Sequence, residues 1–344
     1  MLRVLSVAFP LAAVSPDTVG GAEQVLSFLD RSLVEAGHGS FVVACEGSQV
    51  EGTLVPVPVL KGPLGPEAWR QAHANHRQAI ATALDRYSID LVHLHGIDFS
   101  CYLPPPGAPA LATLHLPPSW YPPEALMPER PRTWLHCVSA SQQRACPHGR
   151  NLLPPIENGV PVDELSVVRH AKRDFSLALG RVCPEKGYHI ALDAAHRAGR
   201  PLLIGGKVYE YDEHRRYFER EIVPRLDGRG RFLGPLGFTR KRRLLSAARC
   251  LVVPSLAQET SSLVAMEALA CGTPVVALPN GALADIVEHG RTGFLVRDER
   301  EMADAIKAAG DLDPEACREV ARRRFSLQQT AERYMDTYRW LAGQ

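Results

Sequence analysis

Strand-length apolar runs alternate with helical segments along the whole chain, and the alternation stops once near the middle and begins again. That pattern predicts an α/β protein built of two successive domains, each a parallel sheet covered by helices. The length agrees, since 344 residues are enough for about two domains that each bury a core of their own. Proline runs at residues 104–106, 117–118 and 122–123 fall just after expected strands, where open parallel sheets place their ligands.

Taken in order, Arg3 to Phe9 reads as a buried strand and residues 10–21 as a loop. A helix follows over Ala22 to Ala36, with Val25, Leu26, Leu29 and Leu33 on one face and Gly37 as its stop. Strands are expected at Phe41 to Cys45, Leu91 to His95, Ala110 to His115 and Trp134 to Val138, with a long helix over Glu67 to Tyr87. The second series has strands at Phe175 to Gly180, Leu202 to Ile204, Arg231 to Leu233, Cys250 to Val253, Val275 to Leu278 and Phe294 to Val296. Its helices are expected at Tyr188 to Arg197, Arg215 to Val223 and Arg240 to Ala248, with a short one opening near Ser262 and stopped by Gly272 and Pro274. The last helix, Gln328 to Leu341, carries Tyr334, Tyr338 and Trp340 and is expected to pack back on the first domain.

Composition narrows the function. With 39 basic and 38 acidic side chains the chain has no charge excess that would attract a nucleic acid. Residues 1–150 hold 10 basic and 12 acidic side chains, so that half lacks the basic face an anionic membrane attracts. No run approaches the ~18 apolar residues of a membrane span. Eight cysteines without a C-x-x-C pair read as reduced, buried residues in a cytoplasmic protein. The first nine residues superficially resemble a signal peptide, but Pro10 cuts the apolar run short.

The densest stretch is residues 258–274. Glu259 lies in the loop before the short helix and Glu267 projects from the helix itself, about two turns on. Between them falls the helix N-terminus, whose free amides and dipole favour a phosphate. The alternative is a core helix with a solvated Glu267 and a capping Glu259. Gly180 to Gly187 brings Arg181 and Lys186 to the carboxyl end of a strand, a clamp suited to a diphosphate leaving group. Gly20-Gly21 is either an ordinary tight turn or a place where backbone approaches a ligand. G-x-G-x-x-G is absent, which disfavours an NAD-dependent oxidoreductase, and Gly205-Gly206-Lys207 lacks the remainder of a phosphate loop. His93, His95 and His115 permit a metal site but read better as hydrogen-bonding groups. The D-x-D of Asp311 and Asp313 lies between two C-terminal helices, where Asp313 before Pro314 reads as a cap. The basic run 239–243 reads as a solvated face.

Glu259 to Glu267, an E-x7-E pair followed by Ala268 to Ala277, closely resembles retaining glycosyltransferase family 4, of GT-B architecture. Gly20 to Glu23, Val92 to His95, Thr113 to His115, Glu157 to Val160, Gly180 to Gly187 and Thr292 to Val296 echo the same family in order, over nearly the whole chain. The resemblance implies two Rossmann-like domains facing across a cleft. Residues 1–158 would bind the acceptor, with 328–344 packed back on them, and 159–327 the nucleotide sugar. It implies that Arg181, Lys186 and the amides of Leu263, Val264 and Gly21 hold the diphosphate, Glu267 the ribose and Glu259 the donor sugar. His115 would touch the sugar beside the reacting carbon, with His95 on the acceptor side. It further implies a metal-independent, retaining transfer to a small-molecule or glycan hydroxyl, needing no cofactor. Two departures stand out: Ser261-Ser262 replace an aromatic-glycine pair, and Asn280 to Asp285 replaces the usual Gly-Gly-x-Pro-Glu. The second resembles the branch with an avilamycin-pathway glycosyltransferase, which favours a UDP-sugar. A sugar-nucleotide epimerase of the same architecture and a non-catalytic sugar-nucleotide-binding protein are the competing readings.

Overall fold

In the computed structural model, which describes residues 1–344 apart from 17, 19, 61, 63, 64 and 168, the chain divides into two compact units. One comprises Met1–Glu157 with Ala331–Gln344, the other Asn158–Thr330.

The first unit holds a six-stranded sheet of β1 (Arg3–Val7), β2 (Gly39–Cys45), β3 (Thr53–Val57), β4 (Leu91–Leu94), β5 (Ala110–Leu114) and β6 (Thr133–Cys137). All neighbours are parallel, in the order β3-β2-β1-β4-β5-β6. Strands β4 and β5 are buried at every position, which is why they read as continuous apolar runs rather than alternating ones. The helices Gly21–Glu35 and Pro66–Arg86 cover the sheet, each ending within a residue or so of the sequence reading. Edge strand β3 escaped that reading because TLVPV is short, half-exposed and contains Pro56, which only an edge tolerates. Its approach is fixed by the buried carboxylate of Asp30, which accepts from Ser40 Oγ at 2.6 Å and the amides of Glu51 and Gly52 at 2.6 and 3.1 Å. The final helix, Leu327–Ala342, buries Tyr334 and Tyr338 in this unit and sets Trp340 edge-on to Trp134.

In the second unit, β7 (Ser176–Leu179), β8 (Leu202–Gly205), β9 (Gly230–Phe232), β10 (Cys250–Val253), β11 (Val275–Ala277) and β12 (Gly293–Leu295) form a parallel sheet in the order β12-β11-β10-β7-β8-β9. Numbered from its own first strand, this is the connectivity of the first sheet again, so both units are doubly wound α/β folds. The expected helix over 215–223 is broken: Asp212–Tyr217 is α-helical, Phe218–Ile222 a π turn and Val223–Arg225 a 3-10 turn. Seven cysteines are buried as expected, but Cys101 is exposed. No described helix is long and apolar enough to cross a membrane.

Candidate nucleotide-sugar site

A doubly wound sheet opens a crevice where its strand order reverses, because the loops leaving the two central strands run to opposite sides. In the second unit that point lies between β7 and β10. The loop after β7 carries Arg181 and Lys186, and the loop after β10 carries Glu259. Topology therefore unites groups more than seventy residues apart. Lys186 Nζ lies 2.5 Å from Glu259 Oε1, and Ser255 Oγ donates to the same oxygen at 2.5 Å. Two glycines make the approach possible. Gly187 has φ +62°, and a Cβ there would sit 2.3 Å from the Pro254 carbonyl oxygen. Gly281 has φ +65° and presses on the Glu259 backbone, whose carbonyl accepts from Ala282 N at 2.7 Å. Asn280, in the divergent segment, ties that loop down through Nδ2 to the Ser255 carbonyl at 2.7 Å.

The short helix runs Leu263–Ala270, as the sequence indicates. Ser262 occupies the N-cap position, yet its side chain makes no capping bond, and Ser261 Oγ is buried without a partner among the described residues. The first helical amides, those of Leu263 and Val264, precede any carbonyl the helix can offer and remain available to an anion. Glu267 is 4% exposed, so the solvated alternative is ruled out. Its Oε1 meets Lys241 Nζ at 2.5 Å, while its Oε2 is buried with no hydrogen-bond partner among the described residues. Lys241 corrects the reading of 239–243 as a solvated face. Only its place at the start of the helix Phe238–Ala247, which packs on 263–270, brings it to Glu267. The second D-x-D aspartate, Asp313, caps the helix Pro314–Arg324 through Glu315 N at 2.9 Å, and Asp311 sits in a 3-10 turn.

Gly21, His95 and His115 belong to the first unit. Gly21 opens the helix after the β1 loop, with Gly20 as its extended N-cap. His95 follows β4, its amide bonded to the Val7 carbonyl at 3.0 Å, and its Nδ1 lies 3.0 Å from His115 Nε2 with the rings stacked. His95 Nε2 is buried without a partner among the described residues. His93 points into a separate chain of bonds whose direction can be worked out. His136 Nδ1 donates to the Cys137 carbonyl at 3.1 Å, so its Nε2 accepts from Thr113 at 2.7 Å. Thr113 then accepts from His93 Nε2 at 2.6 Å, and His93 Nδ1 accepts from Tyr338 at 2.7 Å. Every ring in it is neutral. Burial, aided by the neighbouring histidines, holds His93 and His95 well below the usual imidazole range. Burial likewise takes His115 down to about 3 and His136 to about 4.

A group the sequence reading did not single out lies beside Arg181: Cys183, Glu185 and His214 converge, and burial holds the Cys183 thiol up at about 11. The three histidines considered as ligands do not form such a group with others among the described residues.

Residues 174–310 match the family of glycosyl transferases group 1, and residues 19–146 match glycosyltransferase family 4. AviGT4, a glycosyltransferase involved in avilamycin A biosynthesis, superposes with a TM-score of 0.74 at 26% identity, covering 100% of this chain and 98% of that one. HepE of Anabaena, solved with UDP and glucose, has a TM-score of 0.74 at 19% identity over 98% of this chain and 99% of its own, which speaks for the fold alone. The D-inositol 3-phosphate glycosyltransferase of Nocardioides sp. (strain ATCC BAA-499 / JS614) is 39% identical over 127 residues, 33% of this chain and 28% of that protein. The chain spans well under half the length of the first curated relatives it matches. Two doubly wound sheets in succession are the fold of the GT-B class, as the superposition on AviGT4 bears out. The chain belongs within it to the group 1 glycosyltransferases.

Proposed function

We propose that this chain is a retaining glycosyltransferase that moves a sugar from a nucleotide-sugar donor, a UDP-sugar, to a hydroxyl of a small-molecule or glycan acceptor. The observation that carries the proposal is Glu267 Oε2, a buried carboxylate oxygen with no hydrogen-bond partner among the described residues. Such an oxygen loses the hydration it had in the unfolded chain, and a ligand hydroxyl can replace it. A ribose beyond a phosphate held at the 263–270 helix start offers two. Arg181 and the amides of Leu263 and Val264 then hold the diphosphate, with the Gly21 amide as a further proposed phosphate donor, and residues 159–327 bind the nucleotide sugar while 1–158 bind the acceptor.

Lys186 adds a step, because without donor its charge is neutralised by Glu259. Sugar hydroxyls that take up Glu259 release Lys186 toward the phosphates, so sugar and diphosphate are recognised together. The departing diphosphate gains about one negative charge, and cations with oriented amides stabilise it without a metal ion. The acceptor attacks on the face the diphosphate leaves, so no enzyme nucleophile is used, and His115 contacts the sugar as a neutral hydrogen-bonding group. No observation favours the epimerase reading, and nucleotide release that requires acceptor separates the two.

Calorimetry with UDP tests the reading. A charged hydrogen bond is worth roughly 1.5–3 kcal/mol, so Glu267→Ala should weaken binding at least about tenfold. An unchanged dissociation constant removes Glu267 from the site. Thermal shifts with UDP-, GDP- and ADP-sugars identify the base.

A further inference from the structure

Cys183, Glu185 and His214 each place one potential ligand atom within 4.8 Å of the other two, the one such trio among the described residues. Cys183 and Glu185 flank Pro184 in the turn after β7, while His214 lies in the helix Asp212–Tyr217 that follows β8. Their meeting follows from the sheet. β7 and β8 are adjacent, and the pairing runs on past the end of β7, from Gly180 N to the Gly205 carbonyl at 3.1 Å and from Val182 N to the Lys207 carbonyl at 3.0 Å. The His214 ring stands edge-on to Tyr211 at 5.1 Å, and its Nδ1 is buried with no partner among the described residues. The Cys183 side chain is buried and Glu185 is half-buried.

We propose that these three residues bind a thiophilic divalent cation of the zinc type. A thiol, an imidazole and a carboxylate are the donors zinc takes, whereas magnesium and calcium take oxygen alone. Bond lengths of about 2.0–2.3 Å in a tetrahedral site put neighbouring donors roughly 3.5 Å apart. The widest pair must therefore close by about an ångström, within reach of rotation of the half-buried Glu185 and His214 side chains. On binding, the thiol proton passes to buffer and the thiolate lone pair goes to the metal. Thiolate and carboxylate then balance the two positive charges, so the occupied site does not repel Arg181 two residues away. Three protein ligands leave the fourth position to water. The turn that bears Arg181 and Lys186 is pinned by such an ion, which gives the cation a regulatory place outside the transfer chemistry.

The test uses the full-length, tag-free chain carrying Cys101→Ser, which removes the exposed thiol. Cobalt(II) is the probe, followed by competition with zinc, and no nucleotide sugar is needed, so the result is independent of the proposed transferase activity. One equivalent of cobalt should produce a thiolate-to-metal charge-transfer band that disappears in Cys183→Ser. Zinc affinity should fall at least about tenfold in His214→Ala, a change on a part-exposed helix that leaves the fold testable if Cys183→Ser does not fold. Absence of the thiolate band, its persistence in folded Cys183→Ser, or unchanged zinc affinity in His214→Ala overturns the assignment.

Discussion

Glu259 and Glu267 stand eight residues apart and each meets a lysine at 2.5 Å, yet the two pairs are built for different ends. Glu259 Oε1 already takes two donors, Lys186 and Ser255, and its pair sits at the switch point with the Lys186 side chain 25% exposed. Glu267 is deeper, takes one donor, and keeps its second oxygen buried with no partner among the described residues. On the proposed function, the first pair is a latch that the donor opens, and the second is a fixed receptor whose lysine holds one oxygen while the other takes a ribose hydroxyl. Two acids of one motif would then divide the work of releasing a cation and reading a sugar ring.

The comparison breaks most visibly at the latch. Lys186→Ala and Arg181→Ala should each lower turnover on the order of 10²-fold, the scale of a lost oxyanion donor. Steady-state kinetics at saturating donor measure this, and wild-type turnover in either variant would end the clamp account. Lys241→Ala should act instead on stability. Breaking a buried pair costs roughly 3–5 kcal/mol, and the partial exposure of Lys241 reduces that to on the order of 2 kcal/mol in urea unfolding. Equal stability would show that Glu267 has another support.

Much of this was legible in the sequence. Two rounds of strand and helix, the helix stop at Gly272 and Pro274, and the E-x7-E spacing all depend on local pattern, which a single chain carries. What was not legible is who meets whom across the sheet. Lys241 looked like one more charge in a basic run, and only helix packing turns it inward to Glu267. Lys186 and Glu259 were each read as ligand groups, whereas strand order makes them each other's partner first. Strand β3 was missed because an edge strand needs only one neighbour and so shows only half a pattern. The tautomer of His136 follows from the Cys137 carbonyl and is passed to His93 through Thr113, a relay that no sequence pattern shows.

His93, His95, His115 and His136 of the first unit supply a pH test away from either acid pair. Their folded values lie below the unfolded value of about 6.5, with His136 at about 4 and His115 at about 3. Between those limits the unfolded chain binds more protons, so stability rises with pH up to about 6.5 and falls as pH drops from there toward 4. Each such histidine contributes up to about 1.4 kcal/mol per pH unit in that window. Urea midpoints of wild type and His136→Asn, compared at pH 7 and 5, measure the difference, and parallel shifts would contradict the neutral chain. His115→Ala should lower turnover far more than nucleotide affinity, and equal turnover would take His115 out of the site. The smallest expected effect is that of EDTA, which should leave transfer by zinc-free protein unchanged. Loss of activity rescued by magnesium or manganese would return the chemistry to a metal.

The most direct measurement of the account is a cycle between Glu267 and the ribose. UDP and its 2′,3′-dideoxy analogue are bound by calorimetry to wild type and to Glu267→Gln, which keeps the shape and removes the charge. If Oε2 receives a ribose hydroxyl, wild type should prefer UDP by at least about tenfold, near 1.4 kcal/mol, and the variant should lose most of that preference. Equal preference in the two proteins would contradict the claim that the buried oxygen of Glu267 reads the sugar of the nucleotide.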